Sequence, residues 1–441
     1  MKLFGTDGIR GVVGEMLNET LAFDLGRAYG IALGDTKHKR ILLGRDTRMS
    51  GKMLLDAVTK GLNSAGFDVL SVGVLPTPAH TYLSKVLDVD GGIMITASHN
   101  PAEHNGIKFC DADGNKLSQT MQQKIEDIVF DIDAYEVYGE GEFVEDLSLA
   151  NKWIDYIFEC LDNVNLSGVK VALDTANGAG FALIPEAFGR AGATVFAFNT
   201  ESDGKNINNN CGSTHIEPFI EQCKKCGADI GFSFDGDADR IMAVDESGNV
   251  IDGTDMMYIF GVYYKKLGKL INNTVVSTIV TNSGLKNSLA KLGIDYCATQ
   301  VGGQYVQREM MQNGYTVGGE ENGHMLLGDI GEGSDGMCIG LYLLKIMKEE
   351  GVSLHQLIEG LERAKIAKAD MQVTAVQKQA VADGVLDDLI DELNAIISES
   401  GRIVVRTSGT ESVVRILVEG ENQEILDSIR DVLKYRVLAI K

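Results

Sequence analysis

Residues 40–73 read RILLGRDTRMSGKMLLDAVTKGLNSAGFDVLSVG, and this stretch decides the fold class. The apolar run at Ile41–Leu43 is too short for a helix and ends in a polar, glycine-containing loop, which marks a buried strand. Apolar residues then recur at helical spacing, with Ser50 placed to cap the first turn, until Ala65 and Gly66 stop the pattern. Another apolar run follows. Strand, helix and strand in this order form a βαβ unit, which implies parallel strands joined by a right-handed crossover.

The same plan recurs twice. Residues 169–199 run VKVALD, TANGAG, a helix through Arg190, then TVFAFN, and residues 274–302 run TVVSTIV, TNSG, LKNSLAKLG, then IDYCATQVG. Three such units at well-separated positions predict three related α/β domains. After each unit comes a strand, a polar loop and another strand. GGIMIT leads through ASHNPAEHNG to IKFC; ADIGFSF leads through DGDADR to IMAVD; GYTVG leads through GEENGH to MLLGD. The sheets are therefore expected to be mixed. Equivalent slots in related domains hold a serine, an aspartate triplet and a glutamate pair with a histidine, and these are expected to face one shared cleft. The acidic, glycine-containing residues 136–151 read as a linker. The last 75 or so residues alternate Val404 and Arg406, then Val414, Ile416 and Val418, before helical spacing of Ile425, Ile429 and Leu433. They predict a smaller C-terminal α+β domain. The expected domains are 1–150, 151–252, 253–366 and 367–441, arranged around a central cleft.

A chain of 441 residues exceeds one hydrophobic core, and 44% apolar with 23% charged residues is a globular composition. No run of about 18 apolar residues is present, and the start MKLFGTDGIRG lacks a signal-peptide core, so no membrane association is expected. Seven scattered cysteines argue for a reducing cytoplasm rather than a disulfide framework. Cys223 and Cys226, unaccompanied by a second pair, read as neighbours one helical turn apart. A formal net charge of −23 repels nucleic acid, so an anionic ligand needs a locally positive cleft.

The loops carry the chemistry. Ser98 follows a buried strand within TASHNP (96–101), which suits a presented nucleophile as well as a simple turn. DGDADR (235–240) places Asp235, Asp237 and Asp239 at alternate positions, where extended backbone would turn them to one face. Oxygen-only ligands suit a hard cation, Mg²⁺ in the simplest case. An EF-hand loop requires glycine at its sixth position, where Arg240 stands. A phosphate on Ser98 beside three aspartates would be untenable without a cation, since each unit pair at about 5 Å repels by roughly 3 kcal/mol at an effective dielectric near 20. RTSGT (406–410) offers a guanidinium, hydroxyls and loosened backbone, a phosphate cradle that Arg415 assists. GEENGH (319–324) offers acceptors suited to sugar hydroxyls or an amine. His324, and Lys108 if its pKa is lowered in the cleft, are the acid–base candidates. GTDGIRG (5–11) brings Arg10 into a glycine-rich turn as a possible phosphate contact.

Together GTDGIRG (5–11), GRDTRMSG (44–51), TASHNP with NGIK (96–101, 105–108), CGSTH (211–215), DGDADR (235–240), GEENGH (319–324) and RTSGTE (406–411) resemble the α-D-phosphohexomutases over essentially the whole chain. The resemblance implies four domains around a cleft, Ser98 as a phosphoserine, and one Mg²⁺ held by Ser98, Asp235, Asp237 and Asp239. It implies catalytic roles for Arg10, Lys108, Arg240 and His324. It implies sugar contacts from Glu320 and Asn322, and phosphate contacts from Arg406, Ser408, Gly409, Thr410 and Arg415. The implied reaction interconverts glucosamine 6-phosphate and glucosamine 1-phosphate through a bisphosphorylated sugar, with a hexose 1,6-bisphosphate as activator, in a monomer or homodimer. Mannose or glucose phosphates are the alternative substrates. A metal phosphatase and a non-catalytic sugar-phosphate sensor are the rival functions. Three motifs depart from the family pattern: Thr407 and Ser412 replace prolines of RPSGTEP, Glu321 and Asn322 stand in a loop that commonly reads GEQSGH, and Gly303 and Gln304 replace the charged pair of VGDRYV.

Overall fold

The computed structural model describes residues 2–5, 7–136, 139–331, 333–397, 401–408 and 412–440. The chain divides into two compact units, Met1–Met256 with Thr316–Leu357, and Met257–Tyr315 with Ile358–Lys441.

The first unit contains a six-stranded mixed sheet in the order Ile9–Val12, His104–Asp111, Gly91–Ile95, Arg40–Arg45, Asp68–Val74, Phe143–Glu145. The βαβ unit of residues 40–73 supplies its parallel pair, Arg40–Arg45 with Asp68–Val74, around the helix Ser50–Ser64. Strand Gly91–Ile95 pairs parallel with Arg40–Arg45 and antiparallel with His104–Asp111. Side chains alternate across the sheet. Ile41, Leu43, Ile93, Ile95, Ile107 and Phe109 pack against the helices Glu19–Leu33, Ser50–Ser64 and Gln119–Phe130, in one apolar cluster. Helix Thr77–Val86 contacts the strands Arg40–Arg45 and Gly91–Ile95, and its His80 Nε2 lies 3.2 Å from the Leu42 carbonyl.

Two local expectations need correction. Ser50 opens its helix but does not cap it: Met49 holds the cap position without a side-chain bond, and the Ser50 hydroxyl accepts from Asn105 Nδ2 at 2.9 Å. The stretch read as a linker adds an edge strand, Phe143–Glu145, parallel to Asp68–Val74. Backbone polar groups at an open sheet edge find partners wherever chain passes close by, and composition alone does not reveal that passage.

A second, five-stranded sheet in this unit repeats the design in the order Val250–Ile251, Ile241–Val244, Ile230–Phe234, Lys170–Asp174, Thr194–Phe198. Lys170–Asp174 runs parallel to both Thr194–Phe198 and Ile230–Phe234, and the hairpin from Ile230–Phe234 to Ile241–Val244 is antiparallel, with Phe234 opposite Ile241. Residues 235–240 are thus the hairpin's loop. Strands Val317–Gly319 and Met325–Leu327 form a third antiparallel pair, with Gly319 opposite Met325 and residues 320–324 between them. Cys223 and Cys226 lie one turn apart on the helix Glu217–Cys226, both as free thiols.

In the second unit, Thr274–Thr278 and Asp295–Thr299 pair in parallel around the helix Ser283–Lys291, whose Asn282 cap accepts from the Gly284 amide. The C-terminal part is an antiparallel sheet in the order Lys365–Gln372, Val413–Gly420, Arg402–Thr407. Val414, Ile416 and Val418 face the apolar cluster beneath the helix Gln423–Leu438. The buried stripe of that helix is Leu426, Ile429, Leu433 and Val437, whereas Ile425 is 37% exposed. The spacing is helical as expected, and Ile429 and Leu433 are buried as read, with Leu426 rather than Ile425 completing the face.

Candidate active site

Strand Gly91–Ile95 is buried along its whole length and delivers Ser98 three residues past its end. Ser98 has φ +52°, a left-handed conformation that a non-glycine residue adopts only when its surroundings enforce it. The Thr96 hydroxyl accepts from the Ser98 amide at 2.9 Å. The Ser98 Oγ donates to Asp235 Oδ2 at 2.6 Å and lies 3.3 Å from His99 Nδ1. Ser98 is only 1% exposed, so the nucleophile that the strand presents lies under cover and not at the surface. Residues 206–208 and 235–237 cover it: Asn208 Nδ2 donates to its carbonyl at 2.9 Å, and a Cβ on Gly236 would sit 2.6 Å from that same oxygen.

The aspartates converge as expected, though by a different route. Residues 235–240 form a turn rather than extended chain, with Ala238 at φ +58°. The turn brings one oxygen each from Asp235, Asp237 and Asp239 within 4.8 Å of one another. Asp235 and Asp237 are fully buried and the Asp239 side chain is 15% exposed, so the cluster has a closed floor and a more open rim. Burial, joined by repulsion from Asp239 and Asp237, pushes the Asp235 carboxyl well above the ordinary value. Asp237 goes the opposite way: burial alone would raise it, but the Lys108 charge and hydrogen bonds from Lys108 and Thr77 hold it below the usual carboxylate range.

Cations ring this floor. Lys108 Nζ lies 2.8 Å from Asp237 Oδ2, 3.0 Å from Asp7 Oδ2 and 3.9 Å from Asp239 Oδ2. Burial would lower its pKa, but these carboxylates outweigh it and hold the ammonium above the ordinary lysine value. The lowered pKa on which an acid–base role for Lys108 depends is thereby not met, because three acidic neighbours converge on one amine. Arg10 Nη2 donates to Asp7 at 2.7 Å, and Arg240 Nε lies 3.9 Å from Asp239.

Residues 320–324 fold tightly back, with Glu320 N donating to the His324 carbonyl at 3.0 Å and His324 N to Asn322 Oδ1 at 3.1 Å. Gly253 makes room for this turn, since a Cβ there would meet the Glu320 carbonyl at 1.9 Å. Burial lowers the His324 pKa, partly offset by Asp239 and Glu320, so the imidazole is neutral near pH 7.

In the other unit, Arg406 and Arg415 stand directly opposite each other on adjacent strands. Like charges at such a cross-strand pair are unfavourable unless an anion joins them. Arg415 also lies 3.4 Å from Asp370, and Ser408 is buried beside them. Gly409 and Thr410 fall outside the described residues.

Buried atoms without hydrogen-bond partners show which groups this site suits. Asp237 Oδ1 and Asp239 Oδ1 are buried without hydrogen-bond partners, as are Arg10 Nε, Arg240 Nε and His324 Nδ1. Two unpartnered carboxylate oxygens in an all-oxygen cluster suit a hard divalent cation such as Mg²⁺. Two guanidinium nitrogens that make no hydrogen bond, Arg10 Nε and Arg240 Nε, suit an anion, although Arg240 Nε faces Asp239 Oδ1 at 3.9 Å.

Three contributors escaped the sequence reading. Thr77, the first residue of its helix, donates its hydroxyl to Asp237 Oδ2 at 2.7 Å. Asp7 bridges Arg10, Lys108 and Lys116, the last at 2.7 Å. Asp7 lay inside a motif already singled out; for Thr77 and Lys116 nothing local signals a role, since their partners are remote in sequence.

Family models match consecutive parts of the chain: phosphoglucomutase/phosphomannomutase α/β/α domain I over residues 1–136, domain II over 151–248, domain III over 252–364, and the C-terminal domain over 361–434. The phosphoglucosamine mutase of Clostridium novyi (strain NT) is 41% identical over 438 residues, covering 98% of this chain and 97% of that protein. That of Finegoldia magna is 40% identical over 447 residues, covering 99% of each. A phosphoglucomutase/phosphomannomutase family protein from Burkholderia thailandensis superimposes with a TM-score of 0.82 at 26% identity, covering 99% of this chain and 96% of the other. The Aspergillus fumigatus N-acetylphosphoglucosamine mutase, solved with GlcNAc-6P and magnesium, shares the fold at a TM-score of 0.64 and 18% identity, covering 99% and 95%.

Proposed function

This chain belongs to the phosphoglucomutase/phosphomannomutase family, and from that premise we propose that it interconverts glucosamine 6-phosphate and glucosamine 1-phosphate for UDP-N-acetylglucosamine synthesis. The observation that carries the chemistry is Ser98 Oγ at 2.6 Å from one member of a buried aspartate triplet. In this reading Ser98 carries the phosphoryl group, first loaded from a hexose 1,6-bisphosphate. A sugar hydroxyl takes the phosphorus as the P–Oγ bond breaks, giving a bisphosphorylated sugar. The other phosphate then returns to Ser98.

Asp235, Asp237, Asp239 and the phosphorylated Ser98 are the residues that would hold Mg²⁺, which when bound offsets the anionic charge gathered there. Arg10 and Arg240, each with an Nε that makes no hydrogen bond, provide fixed positive charge for the moving phosphoryl group. His324, neutral and with Nδ1 free, takes the proton of the attacking hydroxyl and returns it in the second half. Lys108, held protonated, keeps its proton and supplies fixed positive charge while the Ser98 oxygen is without its phosphoryl group. Glu320 and Asn322 hold the sugar, and Arg406, Ser408, Gly409, Thr410 and Arg415 hold the phosphate that is not reacting. The added carboxylate of Glu321 favours an aminosugar over a neutral one, because an ammonium gains a charge-assisted contact there.

Two assays test this reading. Intact mass before and after incubation with a hexose 1,6-bisphosphate should show a gain of one phosphate group, lost in Ser98→Ala. Turnover should then favour glucosamine 6-phosphate over glucose and mannose 6-phosphates; a preference for mannose would move the chain to another branch of the family, and phosphate release without isomer formation would make it a phosphatase. The domain limits 1–150, 151–252, 253–366 and 367–441, a monomeric or homodimeric state and a cytoplasmic location belong to the same proposal. Limited proteolysis and light scattering read the first two. Among the described residues no helix is long and apolar enough to cross a membrane.

A further inference from the structure

The motif GRDTRMSG is part of the family resemblance, yet the mutase reading uses none of its side chains. In the structure its Arg48 is among the largest fully buried side chains of the molecule, and the guanidinium points at the serine loop. Nη2 donates to the carbonyls of Ser98 at 2.9 Å and Asn100 at 2.8 Å. Nη1 donates to the carbonyls of His104, at 3.0 Å, and Pro101. Nε donates to Asp46 Oδ2 at 2.9 Å, and Asp46 Oδ1 accepts from the Arg48 amide at 2.9 Å. One guanidinium therefore gathers four carbonyls of residues 98–104, a task that no other side chain can perform from one position.

The remaining atoms of the Ser98 peptide are tied to the same group. Asp46 Oδ2 accepts from the Thr96 hydroxyl at 2.7 Å, and that hydroxyl accepts from the Ser98 amide at 2.9 Å. Asn208, from a distant segment, donates Nδ2 to the carbonyls of Ser98 at 2.9 Å and Asn100 at 3.1 Å. Ser98 is thus held on both sides in a left-handed conformation that it would not keep unaided. None of these bonds uses the Oγ atom. The restraint is consequently the same whether that oxygen carries hydrogen or phosphorus.

We infer that Arg48, oriented by Asp46 and assisted by Asn208, is a positioning residue: it keeps the Ser98 oxygen on one line of attack while the phosphoryl group leaves and returns. The inference rests on the mutase reading above and extends it. Both halves of that reaction make and break a bond to one oxygen, so any drift of Ser98 between halves misaligns the return transfer. Displacements near 1 Å typically cost about 100-fold in rate.

Two variants test it. Arg48→Lys keeps the charge beside Asp46 but offers three donors from a point in place of a planar fork. Asn208→Ala leaves the buried ion pair intact, and so remains decisive if the first variant fails to fold. Each should be phosphorylated on Ser98 by a hexose 1,6-bisphosphate. Each should then lose roughly 10–100-fold in kcat with KM for glucosamine 6-phosphate within about twofold. The ³¹P resonance of the phosphoserine should broaden or shift, which a purely stabilising role would not cause. Folded, phosphorylated variants with wild-type kcat and an unchanged ³¹P resonance would overturn the inference alone. A wild-type chain that takes no phosphate on Ser98 would overturn the mutase reading, and this inference with it.

Discussion

Replacing Lys108 by methionine removes a charge while keeping the aliphatic stem, and the geometry sets the cost. The Nζ atom meets Asp237 at 2.8 Å, Asp7 at 3.0 Å and Asp239 at 3.9 Å. At an effective dielectric of about 20, the pair with Asp237 alone corresponds to roughly 6 kcal/mol of attraction. Dehydration of the ammonium offsets part of this. Asp7 contributes little to the loss, because it is 24% exposed and keeps Arg10 and Lys116. The dominant consequence is a fully buried Asp237 left with the Thr77 hydroxyl and no charged hydrogen-bond partner, a situation that typically costs about 3–5 kcal/mol. A divalent cation on the same carboxylates supplies the missing charge. Lys108 and Mg²⁺ therefore compete for Asp237, and the deficit should shrink by about 2 kcal/mol in saturating Mg²⁺. Linkage requires the variant to bind Mg²⁺ roughly 30-fold more tightly, even as turnover collapses. The chain's one tryptophan, Trp153, is buried in the same unit, so its fluorescence during urea unfolding in EDTA and in Mg²⁺ reads both deficits. Equal deficits in the two conditions, or one below about 1 kcal/mol in EDTA, would refute the reasoning.

Other perturbations probe separate links. Ser98→Ala and Ser98→Gly should both abolish the phosphoenzyme, but the glycine variant should be more stable by about 1 kcal/mol, because only it accepts φ +52° without strain; urea midpoints of the pair decide this. Glu321→Gln should raise KM for glucosamine 6-phosphate more than for glucose 6-phosphate, as steady-state kinetics on the two sugars will show, and equal increases would remove the Glu321 carboxylate from amine recognition. His80 is buried neutral, its pKa lowered by burial from 6.5 to about 4. Between those values the unfolded chain binds a proton that the folded chain refuses. The His80 contribution is thus complete above pH 6.5, falls by about 3 kcal/mol as pH drops to 4, and is flat below. Urea midpoints of the wild type and His80→Gln should diverge across that window, and parallel profiles would sink the assignment.

Several layers of this molecule are local and could be read directly. The βαβ units follow from hydrophobic periodicity, which reports which face of each element is buried without reference to its neighbours. The serine, aspartate and Glu–His loops were recognisable because each follows a short apolar strand in the same order, and the hairpins Ile230–Phe234 with Ile241–Val244 and Val317–Gly319 with Met325–Leu327 bear that out. The convergence of Asp235, Asp237 and Asp239 was anticipated for a wrong reason: alternation in extended chain was invoked, whereas a turn through left-handed Ala238 achieves it. The burial of Ser98 was not legible, since the cover comes from Asn208 and Gly236, more than a hundred residues away.

The amino-acid order by itself determined the element types, the repeated α/β plan and the chemical identity of the loops, because these depend on side chains within about a dozen positions of one another. Only the tertiary structure decided the electrostatics. Acid–base work by Lys108 depends on a lowered pKa, and the structure instead holds its proton in place, since Asp7, Asp237 and Asp239 arrive from two separate loops. Arg48, given no role by the sequence, proves to be the buried hub of the serine turn. Coulomb energy depends on distance and burial, and neither is fixed until remote segments have packed together.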